Sequence, residues 1–279
     1  MPNVYEIITE RILEHLKRGL VPWRMPWATE APQNLASGHT YRGVNVFLLS
    51  AMRFSSPYWV TYKQAEEKGG QVRKGEKGTP IIFWKRYQNE SAPEGDRDRF
   101  VLRYYTVFNA LQCDRLEVPS SAAVPFNKIE ACEKVVAGYP MAPRYDFTRE
   151  KAAYSPSEDR IIMPAADSFE SPESFYSTLF HEMTHSTGHK DRLARKGVTD
   201  PIHFGSHDYS LEELIAECGA AFLCGHTGII NRTIDNSAAY IAHWSAKLKS
   251  EPDWIVKAGS AAAKASDHIL GTKPATSEG

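Results

Sequence analysis

Two histidines four residues apart, with a glutamate between them, form the strongest chemical feature of this sequence: His181-Glu182-Met183-Thr184-His185. On a helix that spacing sends both imidazoles from one face, within reach of one ion. Glu182 sits beside them, placed to take a proton from a water activated by that ion. Two neutral nitrogens, an acidified water and a carboxylate base make the zincin arrangement of metal-dependent hydrolases. The preceding FYSTLF is apolar enough to bury the helix. Burying two unpaired histidines and a glutamate would be costly without an ion to satisfy them.

Such a site needs a third protein ligand, and three candidates are available. Glu213 opens ELIAE, an ExxxE pattern that resembles the second helix of gluzincins. That resemblance implies Glu213 as the ligand and Glu217 as the acid fixing the imidazole of His181 or His185. Asp191 completes HExxHxxGxxD, a metzincin-like shape. His189 continues the helical row but lies about 12 Å along the axis from His181, too far to share an ion unless the chain turns at Gly188. Glu213 ranks first, Asp191 second and His189 third, while Glu212 reads as ordinary charge at a helix start. A phenol or imidazole would complete the site by stabilising the developing oxyanion. Tyr209, Tyr240, His203, His207 and His243 are all eligible, and the sequence does not choose among them.

A weaker signal lies upstream. Sequence-tolerant binding of single-stranded nucleic acid needs rings that stack on bases, interleaved with cations that follow phosphates. PWRMPW, YRG, WVTYKQ, VRKGEKG and FWKRY supply both. The candidates are Trp23, Arg24, Trp27, Tyr41, Arg42, Trp59, Arg73 and Lys74. Charge supports a division of labour: +4 before Pro125 and −5 from there on, which sum to the −1 of the chain. Eight of the ten histidines fall in the acidic part. A net +4 is modest, and tryptophans in strands are commonly core, so composition alone only hints at nucleic acid.

The elements that must position these residues follow from periodicity. Val4, Ile7, Ile8, Ile12, Leu13 and Leu16 predict a helix over 3–19. Pro22 and Pro26 predict extended chain across VPWRMPW. A turn and an apolar helix span Tyr41 to Met52, and a short helix follows within 59–70. Two β-rich runs, 79–87 and 99–108, flank a polar segment and predict a long hairpin with an exposed tip. VPSSAAVP, 118–125, is the linker candidate. Helices are expected at 127–139, 172–189, 210–228 (capped by Ser210), 236–249 and 252–270, with a short strand within 155–164.

The chain has 279 residues, 42% of them hydrophobic, enough for a sizeable core and against a disordered protein. No run reaches the roughly 18 apolar residues of a membrane span, and the N-terminus has no signal-peptide core. Four cysteines without CxxC spacing fit reduced thiols, so a cytoplasmic location with no membrane partner is expected.

Along nearly its whole length the sequence resembles the ArdC-type antirestriction family. The blocks MPNVYEIITERILEHLKRGLVPWRMPW, HTYRGVNVFLL, YWVTYKQAEEKGGQVRKGEKGTPIIFWKR and YYTVFNALQCDRL are similar to its N-terminal domain. HEMTHSTGHKDRL, YSLEELIAECGAAFL and the ending from AAYIAHW are similar to its zincin-type metallopeptidase domain. The resemblance implies two α+β domains, a small single-stranded-DNA-binding domain over 1–120 and a zincin-like domain over 126–270. It implies a plasmid, phage or other mobile-element protein that coats incoming single strands and counters restriction. Zn²⁺ is the expected cofactor, with Mn²⁺ or another divalent metal as alternatives. Single-stranded DNA is the expected partner, and a protein substrate is possible. The rival readings are a protease acting on proteins at DNA, a DNA-binding protector whose metal is structural or vestigial, and a plain metallopeptidase whose front domain holds its protein substrate.

Overall fold

The computed structural model describes residues 3–24, 31–88, 98–119, 128–148, 151–200, 207–229 and 238–272. The first helix, α1 (Val4–Lys17), starts in a reciprocal cap: the Asn3 side chain accepts from the Glu6 N–H, and the Glu6 carboxylate accepts from the Asn3 N–H. Its Ile8, Ile12 and Leu16 form a fully buried stripe. Beyond it, Pro22–Arg24 make a 3₁₀ turn rather than extended chain. Proline's fixed φ suits the first residue of a helical turn as well as it suits extension.

The remaining front elements are β1 (Gln33–Asn34), α2 (Val44–Ser50), β2 (Tyr58–Val60), α3 (Tyr62–Glu67), β3 (Gln71–Val72), β4 (Thr79–Gln88), β5 (Asp98–Asn109) and β6 (Cys113–Asp114). Thr61 caps α3 by the same reciprocal device, with Gln64. Strand order is β1-β2-β5-β4, and β3 pairs separately with β6. The expected hairpin is β4 against β5, in register from Thr79↔Val107 to Gln88↔Asp98. Its tip and most of the 118–125 linker candidate lie outside the described residues.

The back half contains α4 (Lys128–Gly138), β7 (Arg144–Asp146), β8 (Ala153–Ser155), β9 (Arg160–Ile162), α5 (Pro172–Ser186), α6 (Lys196–Thr199), α7 (His207–Thr227), α8 (Ala238–Ser250) and α9 (Trp254–Leu270). Its small sheet has the order β7-β9-β8, with β7 parallel and β8 antiparallel to β9. The architecture is α+β throughout, in two parts. Yet the largest apolar cluster belongs to both: Ile8, Ile12, Trp23, Phe47 and Ile82 meet Leu214, Cys218, Trp244 and Trp254. Phe47 of α2 stacks on Phe222 of α7 with ring centres 4.8 Å apart. No helix among the described residues is long and apolar enough to cross a membrane.

Candidate metal centre

α5 carries the histidine pair. Ser171 caps it by accepting from the Ser174 N–H, and Pro172 occupies its first turn. The helix ends at Ser186, just short of the expected 189, and the chain turns away through Gly188. α7 crosses beside it. Gly219 of α7 makes the close approach possible, because a Cβ there would lie 2.4 Å from Thr184 Cγ2 of α5. α7 already includes His207, a turn before the expected cap, so Ser210 sits inside the helix and is buried.

Together the two helices assemble the donor set. His181 Nε2 and His185 Nε2 lie 3.1 Å apart, and each is 3.6 Å from an oxygen of Glu213. One ligand atom from each of the three residues falls within 4.8 Å of the others. Two nitrogens bound tetrahedrally to one small divalent ion would be separated by about 3.3 Å, so the spacing suits such an ion. Glu182 is buried and lines the same cavity of about 490 Å³, together with Ala152, Ala153, Tyr154 and Asp200.

The other nitrogen of His185 is equally well defined. Nδ1 lies 3.2 Å from Glu212 Oε1. A proton on Nδ1 donated to that carboxylate leaves the Nε2 lone pair facing His181 and Glu213. Arg195 holds Glu212 in turn, donating through Nε at 2.9 Å and through Nη2 at 2.6 Å. The same guanidinium donates to the Thr184 carbonyl at 2.8 Å, which ties it to α5. Burial opposes ionisation of Glu212, but Arg195 and His185 outweigh it and keep its carboxyl below the usual range. Burial likewise opposes a charge on His185, yet the Glu212 hydrogen bond and the charges of Glu212, Glu182 and Glu213 lift it to about 9. Three carboxylates around an imidazole pair make this a place that favours a cation.

Several expectations need correction. Glu217 fixes neither imidazole by a hydrogen bond: it accepts from Trp23 Nε1 at 3.1 Å and from the Tyr240 hydroxyl. Burial pushes its carboxyl up to about 7, against the pull of those donors and of His181. The role expected of Glu217 falls to Glu212, and His181 Nδ1 is buried with no partner among the described residues. Asp191 is exposed and paired with Lys190 at 3.1 Å, outside the donor set, and His189 lies beside Asp191 at 3.5 Å. Tyr240 is committed to Glu217, and His243 is exposed against Trp244. His203 and the side chains of His207 and Tyr209 lie outside the described residues. A phenol does line the cavity, that of Tyr154, donating to Asp159 at 2.8 Å and accepting from Arg192 at 3.1 Å. No spacing or composition signal marked Tyr154 or Arg195.

Comparison with known proteins fits this geometry. Residues 2–108 match the family model of the N-terminal domain of anti-restriction factor ArdC, and residues 130–261 match that of a zincin-like metallopeptidase. The Mn(II)-bound crystal structure of the antirestriction ArdC protein from the R388 plasmid has a TM-score of 0.75 and 37% identity, covering 97% of this chain and 98% of that one. This chain belongs to the ArdC antirestriction family. The metal-free structure of the same plasmid protein gives a TM-score of 0.74 at 36% identity, covering 98% of this chain and 100% of that one. Protein y4eC of Sinorhizobium fredii (strain NBRC 101917 / NGR234) is 34% identical, covering 95% of this chain and 91% of its own length. DNA primase TraC of Escherichia coli is also 34% identical over 95% of this chain, which spans only 27% of that primase. A zincin-like domain implies a divalent metal, and the donor set of this ArdC-family chain fits one.

In the front half of the ArdC-family chain, most of the residues expected to meet DNA are buried or ion-paired. Trp23 is wholly buried, edge-on to Trp244 at 6.3 Å. Trp59 is buried against Phe54, and Tyr41 is buried with its hydroxyl accepting from Asn34 at 3.2 Å. None of the three offers a ring face to a base. Arg42 pairs with Asp267 of α9, and Arg73 is bound to Glu76 at 2.8 Å and to the Leu111 carbonyl at 2.6 Å. Lys74 is exposed, while Trp27 and the side chain of Arg24 lie outside the described residues. Among the described residues of this half, the exposed indole and phenol rings are Trp84, Tyr104 and Tyr105 on the hairpin, with Tyr62 on α3.

Proposed function

We propose that this ArdC-family protein acts in the cytoplasm to shield the incoming DNA of a mobile element from restriction. It binds single-stranded DNA without strong sequence preference and hydrolyses protein at a zinc-metallopeptidase-type site. The observation that carries the peptidase part is the convergence of His181, His185 and Glu213 on one point, with Glu182 on the same cavity wall. His181, His185 and Glu213 would hold the ion, zinc by the two-imidazole, one-carboxylate pattern; the relative bound to Mn(II) keeps manganese as the alternative. When bound, the ion supplies Lewis acidity to a carbonyl and lowers the pKa of a water.

This chain's own residues do the rest. Glu182 accepts the proton of the attacking water and returns it to the departing amine nitrogen. Glu212 and Arg195 keep His185 oriented. β8 lies at the outer edge of its sheet among the described residues and lines the cavity through Ala153 and Tyr154. Its backbone offers an extended peptide a strand to pair with, which would lay the scissile bond across the centre.

The test is Glu182→Gln. The variant should keep its full complement of metal, measured by elemental analysis, while hydrolysis of a peptide library falls at least about 100-fold. Cleavage at the wild-type rate by the variant would remove Glu182 from the chemistry. No cleavage by the zinc- or manganese-loaded wild type would leave a DNA-binding protector and no peptidase.

A further inference from the structure

A second cavity, also about 490 Å³, lies where the two halves of the chain meet and shares no lining residue with the cavity of the metal centre. β4 contributes Trp84, α1 contributes Tyr5, and α9 contributes Val256 and Ala261, giving largely apolar walls. The rim is cationic. Lys257 and Lys264 are seven residues apart on α9, two turns along one face, and both are exposed. Lys257 is also ion-paired with Asp253. Arg195 lines one side, which puts this cavity one side chain away from Glu212, the carboxylate that holds His185.

The hairpin face leading into the cavity changes character along β4. Ile82 is buried in the shared core, whereas Trp84, on the same face two residues on, is 48% exposed. Tyr104 stands opposite Ile82 on β5 and is 50% exposed. It is therefore the diagonal neighbour of Trp84, a relation that separates side chains by about 7–8 Å. Two half-exposed rings in a row, followed by an apolar slot with a lysine rim, match a ligand whose repeating units have flat apolar faces and an anionic edge. A nucleotide strand has that chemistry.

We propose that single-stranded DNA binds across both halves of the chain, stacking bases on Tyr104 and Trp84, inserting the next base into this cavity and setting its phosphates against Lys257 and Lys264. The inference rests on the single-stranded-DNA reading above and deepens it. The back half then supplies the cations as well as the peptidase site, and the strand passes close to the residues that orient His185.

Fluorescence anisotropy of a labelled mixed-sequence oligonucleotide on the full-length protein, over a range of salt, tests it. Trp84→Ala should raise Kd about 5-fold or more, the loss expected when one stacking ring is removed. Lys264→Glu should weaken binding and flatten the salt dependence by about 0.7 in log–log slope, one phosphate contact. Both residues are exposed, and unchanged circular dichroism will verify their folds. Wild-type affinity in both variants, with loss confined to Lys74→Glu, would move the site to the loop after β3 and overturn the proposal. Unchanged DNA affinity with a raised KM for peptides would assign the cavity to protein substrate and overturn it equally. Failure of the wild type to bind any oligonucleotide at low salt would instead remove the single-stranded-DNA reading itself.

Discussion

At His185 the two ring nitrogens have different tasks. Nε2 faces the other donors, and Nδ1 is held by a carboxylate that Arg195 pins to α5. Removing an orienting partner of this kind weakens metal binding by about 10- to 100-fold. Glu212→Ala should show that loss in a competition titration with a chromophoric chelator. Glu212→Gln keeps an acceptor oxygen and should recover part of it. Equal affinity in wild type and Glu212→Ala would mean that the carboxylate does not govern His185. The histidine pair and Glu182 were legible in the sequence because an i, i+4 spacing is fixed by the helix itself. Glu213 was legible through the resemblance of ELIAE to a known helix pattern. The exchange of roles between Glu212 and Glu217 was not, because it depends on how α7 is rotated against α5. Residues 213 and 217 share a face, while 212 lies about 100° around it. Only packing decides which of them meets an imidazole and which meets Trp23 and Tyr240.

Helices make the site and a missing side chain sets their distance. With Thr184 of α5 against the bare backbone of Gly219, α7 comes near enough for Glu213 to reach both imidazoles. Gly219→Ala should push the helices apart, costing about 1–3 kcal/mol as an overpacked core position does. Thermal unfolding would register that cost, and the metal titration should weaken with it. Unchanged values for both would show that the contact has slack. Long periodic elements were evident from sequence: α1, α4, α5, α8, α9 and the β4–β5 hairpin lie within two or three residues of expectation. The cap expected at Ser210 and the extended chain expected at Pro22 are not found, because packing overrides a local capping or proline signal. β1, β3, β6, β7 and β8 are two or three residues long and carry no usable period. β8 exists because β9 pairs with it, which no local pattern announces.

At the scale of the molecule, the two family segments have one interior. Trp23 of the first half gives its indole N–H to Glu217 of the second, and Ile8, Ile12 and Phe47 rest on the helices that follow. Three of the rings named as candidates for stacking on bases are core instead: Trp23 lies in this shared interior, and Tyr41 and Trp59 lie in a separate cluster within the front half. A single sequence cannot separate a ring that packs from a ring that stacks. The intact protein should unfold in one calorimetric transition. The fragment 1–119, deprived of partners for α1 and Trp23, should show no cooperative transition of its own. Two resolved transitions in the intact chain, or a cooperative fragment, would contradict the shared core. Where α2 meets α9, a Cβ on Gly259 would come within 2.7 Å of the Val44 nitrogen. A chimera that takes one half from a relative would fit only if that half keeps a residue without a side chain facing Val44, or a backbone set further away. Gly259 thus ties the sequence of one half to the backbone path of the other.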